Sequence, residues 1–151
     1  MGVRVPIQPT AAARATLAAA GVELPRALMR AGVRAALREA GARAAEISIT
    51  LLGDDEIAEL NREYLSHQGP TDVISFALFE PPEPPLGDIY IGTGRALHQA
   101  RSRRIEPGHE LTRLAVHGAL HVLGHDHPDG DARTACEMWR LQERIVRAVL
   151  A

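Results

Sequence analysis

The segment from Pro107 to His127 reads PGHELTRLAVHGALHVLGHDH, and its pattern decides the architecture of the chain. Set on a helix at about 100° per residue, Leu111, Ala115, Val116, Gly118, Ala119, Val122 and Leu123 cover most of the circumference. A helix that is apolar nearly all round belongs in a core rather than on a surface. Glu110, Arg113, His117 and His121 form one narrow polar stripe along it. Polar groups taken out of water need partners, because an unsatisfied one is costly.

His117 and His121 are four residues apart, so their imidazoles lie on the same helical face. Gly124 follows, a residue that tolerates the left-handed conformation with which helices commonly end. The chain can then turn back and bring in His127 from another direction, with His125 competing on spacing alone. Four of the seven histidines fall between 117 and 127, so the cluster is not diffuse. Three imidazoles suit one first-row metal ion and leave a tetrahedral position open for water, the pattern of hydrolytic rather than structural zinc sites. The candidate ligands are therefore His117, His121 and a third histidine, His127 or His125, and the expected cofactor is one zinc ion.

One residue type is missing from its familiar slot. Zinc proteases with H-E-x-x-H carry a general-base glutamate directly after the first histidine. Here that position is Gly118, which argues against peptide hydrolysis. Asp72, Asp126 and His67 are the candidates for a general base, and each also suits the plainer task of orienting a ligand imidazole.

Working outward, Val3–Ile7 suits a short strand and residues 11–20 suit a helical turn or two before Gly21. A helix is expected from about Pro25 to Glu39, stopped by Gly41. Glu46–Leu52 alternates, with Ile47, Ile49 and Leu51 on one face, and reads as a strand. Asp54 is a good N-cap for a helix carrying Ile57, Leu60 and Tyr64. Asp72–Leu78 and Gly87–Gly92 read as strands around a Pro81–Pro85 loop. Thr93 can cap a helix to about Arg103. A last helix is expected from about Asp131 to Leu150, with Ala135, Cys136, Trp139, Val146 and Leu150 on one side. The expectation is one α+β domain over residues 1–151, with a small four-stranded mixed sheet, about five helices and a zincin-like metal helix.

The 151 residues suffice for one domain with a real core, built mainly from aliphatic side chains since aromatics are only 3%. A net charge of −2 excludes a global pull onto nucleic acid or an anionic membrane, so a polyanion site must be a local patch. All 17 basic residues are arginines. Arg101, Arg103 and Arg104 make the one cluster near the histidines in sequence, and with Arg113 they are the candidate substrate contacts. Cys136 is a single cysteine and fits a reducing compartment. No secretory or membrane-spanning pattern is evident, so a cytoplasmic location is expected.

HGALHVLGHDH at 117–127 resembles the H-G-x-x-H-x-x-G-x-D-H signature of the YbeY family of bacterial rRNA-maturation endoribonucleases. LNREY at 60–64 with PTDVISF at 70–76, LGDIYI at 86–91, Glu110 with LTRLAVHG, and Glu137, Met138 and Glu143 resemble its other blocks. Together they span roughly residues 46–145. The resemblance favours His127 over His125. It implies a zinc-dependent, single-strand-specific endoribonuclease acting in 16S rRNA 3′-end maturation and ribosome quality control. The implied partners are the 16S rRNA precursor and the ribosome, with no DNA and no membrane. One departure stands out: many members have an arginine directly after the tyrosine of the second block, where this chain has Leu65. If that arginine grips a phosphate, His67 or the Arg101–Arg104 cluster must do so here. Two other readings make different predictions: a metal hydrolase of peptides, or a non-catalytic ribosome-assembly factor with a structural zinc.

Overall fold

The structure, a computed structural model, describes residues 2–65, 72–127 and 136–151. The elements in chain order are β1 (Val3–Arg4), β2 (Ile7–Pro9), α1 (Ala11–Ala19), α2 (Arg26–Glu39), β3 (Ala45–Leu52), α3 (Asp54–Leu65), β4 (Val73–Ala77), β5 (Leu86–Gly92), α4 (Thr93–Arg103), α5 (Pro107–Val122) and α6 (Glu137–Leu150). The fold is α+β with a mixed sheet, as the sequence implies. The sheet runs β1-β3-β5-β4, with β2 also on β3. β1, β2, β3 and β5 are mutually parallel where they pair, and β4 closes the far edge antiparallel to β5.

Four strands were expected and five are present among the described residues. The difference lies at Pro6. Val3–Ile7 divides into β1 and β2 because proline has no N–H to give the ladder, although the Pro6 carbonyl still accepts from Ile49 N–H at 2.9 Å. Both halves occupy one edge position, so the sheet is still four strands wide. Among the described residues the helix count rises from about five to six, because residues 11–20 form more than a turn or two. Thr10 caps α1, its Oγ1 accepting from Ala13 N–H at 3.2 Å and donating to Glu56 Oε1 at 2.6 Å.

Several boundaries move by one residue. Asp54 is not a cap but the first residue of α3. The Gly53 carbonyl accepts from Ile57 N–H, and Glu56 Oε1 reaches back to Gly53 N–H at 2.8 Å, which satisfies a free donor at the helix start. Thr93 likewise stands inside α4, with Gly92 as the cap. The last helix begins at Glu137, because Cys136 is extended (ψ 166°) and cannot continue a helix from Asp131. Ala135 lies outside the described residues.

The core sits where α5 crosses the sheet. Leu111, Ala115, Val116, Ala119 and Leu120 of α5 are fully buried, facing Ile47, Ile49, Leu51, Ile89 and Ile91 of the strands. Each large aliphatic side chain removed from water contributes about 1.5–3 kcal/mol, so this layer fixes α5 firmly. α2, α4 and α6 pack around the rest of the helix. The helix comes close to the sheet at Gly118, where a Cβ would lie 2.7 Å from Ile89 Cγ2 and 3.1 Å from Ser75 Oγ. No helix among the described residues is long and apolar enough to cross a membrane.

Candidate metal centre

α5 carries His117 and His121 at its C-terminal end, and the helix stops where the sequence says it should. Gly124 has φ 99°, Gly124 N–H donates to the His121 carbonyl at 3.0 Å, and His125 N–H donates to the Leu120 carbonyl at 2.9 Å. That pair of bonds is a Schellman turn, which needs a left-handed residue at the position glycine occupies. The turn reverses the chain and sets His127 against the two helical imidazoles. The ring centroids are 4.7 Å apart for His117 and His121, 5.0 Å for His117 and His127, and 4.9 Å for His121 and His127.

One nitrogen from each of the three lies within 4.8 Å of the others, so the trio could hold a single ion. The donor set fits one. His121 Nδ1 lies 3.0 Å from the His125 carbonyl oxygen, an atom that can only accept, so Nδ1 bears the proton and Nε2 is the lone-pair nitrogen. That Nε2 sits 3.1 Å from His117 Nε2. Zinc–imidazole bonds of about 2.0–2.1 Å in a tetrahedron place ligand nitrogens about 3.3–3.4 Å apart, close to this spacing. His117 is buried, while His121 and His127 are half-buried, so the centre opens to one side. His125 is exposed and contributes its backbone to the turn rather than its ring to the trio.

Behind His117 the polar stripe continues into the protein. His117 Nδ1 is 2.6 Å from Gln142 Oε1 of α6, and Gln142 Nε2 donates to Glu143 Oε2 at 3.0 Å. Glu143 accepts from Arg113 Nε at 2.9 Å and from its terminal nitrogen at 3.2 Å. Arg113 also donates to Glu110 Oε1 at 2.8 Å, and Arg103 approaches the same oxygen at 3.6 Å. Burial pushes the Glu143 carboxyl upward, but the hydrogen bonds from Arg113 and Gln142 outweigh it and leave the group below its ordinary range. For Glu110 burial wins over Arg113 and Arg103, and its carboxyl is raised. Asp72, Gln99, Arg103, Glu110, Arg113 and His117 all line one polar cavity of about 50 Å³ beside the histidines.

The other candidate residues fall as follows. Asp72 lines that cavity and accepts from Gln99 Nε2 at 3.2 Å, so it is the candidate base that shares a space with His117. Asp126 is exposed and accepts from the His127 N–H at 2.9 Å, a task of holding the turn. His67 lies outside the described residues. Arg101 and Arg104 are exposed at the end of α4, and Arg103 reaches from there into the cavity. Arg113 is enclosed by two carboxylates. Gln142 is a residue that sequence reading passed over. Its signal was a lone polar side chain between Met138 and Ile145 on the buried face of α6. Gly118 also gains a physical reason, since a side chain in the protease glutamate's slot would run into Ile89.

Comparison with known proteins agrees with this geometry. The profile of the family described as endoribonuclease YbeY matches residues 20–149. The chain belongs to the YbeY family. A protein named endoribonuclease YbeY from Moorella thermoacetica is 44% identical over 140 residues, covering 85% of this chain and 88% of that one. The protein of the same name from Bacillus subtilis is 40% identical over 125 residues, covering 76% and 78%. The Anaeromyxobacter YbeY is 44% identical over 123 residues, and the match spans 80% of this chain and 62% of that longer protein. Among solved structures, the solution structure of TM1509 from Thermotoga maritima superposes with a TM-score of 0.60 at 26% identity, covering 96% of this chain and 88% of that one. The family profile reaches from α2 into α6, so the YbeY likeness includes β3, β4 and β5 as well as the histidine segment.

Proposed function

We propose that this chain is a zinc-dependent endoribonuclease that cuts single-stranded RNA, with His117, His121 and His127 as the metal ligands. Its substrate on this reading is the 16S rRNA precursor at its 3′ end, its partner the ribosome, and its place the cytoplasm. The convergence of three imidazole nitrogens in a chain of the YbeY family carries the reading. A bound zinc supplies Lewis-acid polarisation of a phosphoryl oxygen and acidifies water for attack.

The protein's own groups have separable tasks. The three histidines fix the centre, and His117 also lines the polar cavity. Arg103, with Arg101 and Arg104 beside it on the surface, offers cations to the RNA phosphates on the rim. Asp72, which lines the cavity with His117, is the group assigned to take a proton on this reading. Arg113 is not available for phosphate, because its guanidinium is committed to Glu110 and Glu143.

The test is metal content by elemental analysis of wild type beside His121→Ala, together with cleavage of a labelled single-stranded RNA. Stoichiometric zinc lost in the variant, along with a chelator-sensitive nuclease, is the expected result. Zinc without cleavage, even on ribosomal particles, would favour an assembly factor with a structural ion. A peptidase activity sensitive to chelator would overturn the RNA reading.

A further inference from the structure

Gln142 is 1% exposed, yet it stands in the apolar stripe of α6. A buried amide must satisfy both of its ends. The direction of the hydrogen bonds around it follows from elementary chemistry. Arg113 has donors and no acceptor, and it stays charged. Its two bonds to Glu143 make that carboxylate an acceptor only. The Gln142 NH₂ must therefore be the end that faces Glu143, as the 3.0 Å contact has it. Its carbonyl oxygen is left facing His117 Nδ1 at 2.6 Å, and that oxygen also only accepts. The proton must then sit on His117 Nδ1. The opposite tautomer would set a nitrogen lone pair against an oxygen lone pair at 2.6 Å between two buried side chains.

We propose that Gln142 is a positioning residue that locks His117 in the Nδ1–H tautomer, so that the Nε2 lone pair faces His121 and His127. Arg113, through Glu143, sets the direction of the chain. The proposal rests on the metal-centre reading for its purpose but not for its geometry. The two helical ligands are thereby oriented by different means. At Nδ1, His121 meets a backbone carbonyl, which no substitution removes, whereas His117 meets the Gln142 side chain, which a substitution can remove.

The experiment has two readouts. Imidazole ¹⁵N spectra of the metal-free protein, at a pH where the rings are neutral, report the tautomer of His117 directly. Zinc affinity by chelator competition reports the consequence. Wild type is expected to show Nδ1–H, and Gln142→Met, of similar volume but lacking a strong acceptor, to show mixed tautomers with zinc held about 10–100-fold more weakly. Gln142→Glu returns an acceptor and is expected to recover affinity relative to Gln142→Met. An Nε2–H tautomer in wild type would overturn the proposal, and this measurement decides the matter even if Gln142→Met fails to fold. Equal zinc affinity in wild type and a folded Gln142→Met would also overturn it while leaving the metal centre standing. If wild type bound no zinc at all, the metal-centre reading would fall and the tautomer measurement would still decide this one.

Discussion

The two ends of the polar stripe on α5 look alike in sequence and behave differently in space. At the N-terminal end, Glu110 and Arg113 meet Glu143, and opposite charges and complementary donors face one another. At the C-terminal end, His117 and His121 bring their Nε2 atoms to 3.1 Å, with His127 completing the set. The first end is closed by ion pairs at every atom but Glu110 Oε2, which is buried and has no hydrogen-bond partner among the described residues. The second gathers acceptors around a common point, an arrangement that favours a cation. Buried polar residues thus divide by whether their partners are already in the chain.

The sharpest way to break this comparison is His117→Ala, which removes one proposed ligand and leaves the ion-pair end intact. The expected outcome is loss of stoichiometric zinc with folding retained, checked by elemental analysis beside a circular-dichroism melt. Zinc bound as before would show that the C-terminal end is closed in some other way. The converse variant, Arg113→Met, strands the buried Glu110 and the half-buried Glu143. It should cost about 3–5 kcal/mol in urea unfolding, and a loss under 1 kcal/mol would show that the pair adds little. A smaller effect is expected from Gly118→Ala, which presses a Cβ into Ile89. Overpacking costs about 1–3 kcal/mol, partly offset by alanine's helix preference of about 1 kcal/mol over glycine. A net gain in stability would mean that the sheet yields at that point.

The smallest effect is a pH dependence. Glu143 is held below its ordinary value of 4.5 in the fold. A depressed carboxyl stabilises the native state above the unfolded value, and that stability is lost as pH falls through the folded value. The difference in melting temperature between wild type and Glu143→Gln should therefore be greatest near neutrality and shrink below about pH 4.5. A difference unchanged from pH 7 to pH 3 would mean that Glu143 is not ionised in the fold.

Much of this was legible in the sequence because helical periodicity carries geometry with it. Spacing alone put His117 and His121 on one face, and Gly124 announced the turn that returns His127. The alternation of Ile47, Ile49 and Leu51 marked the central strand. What stayed hidden depends on pairing between distant segments. Arg113 invited grouping with the surface arginines, and only the docking of α6 shows that Glu143 claims it. Gln142 lies 25 residues from His117, and no local pattern joins them. Pro6 was visible, but its power to divide a strand without displacing it depended on the ladder offered by β3. His67 and the last-helix residues before Cys136 fall beyond what the structure describes.

That division at Pro6 bears on how copies of the chain meet. A sheet edge is a template on which a second molecule can add a strand, and long unbroken edges invite such growth. Among the described residues no strand lies beyond β1 and β2, so this is a rim of the sheet. It is broken into runs of two and three residues, with Pro6 between them and Pro9 at the end. Pro9, on the outward side, has no N–H to offer an incoming strand, and Pro6, whose carbonyl is turned to β3, cuts the run in two. A second molecule arriving at this edge meets only short runs of ladder on which to grow.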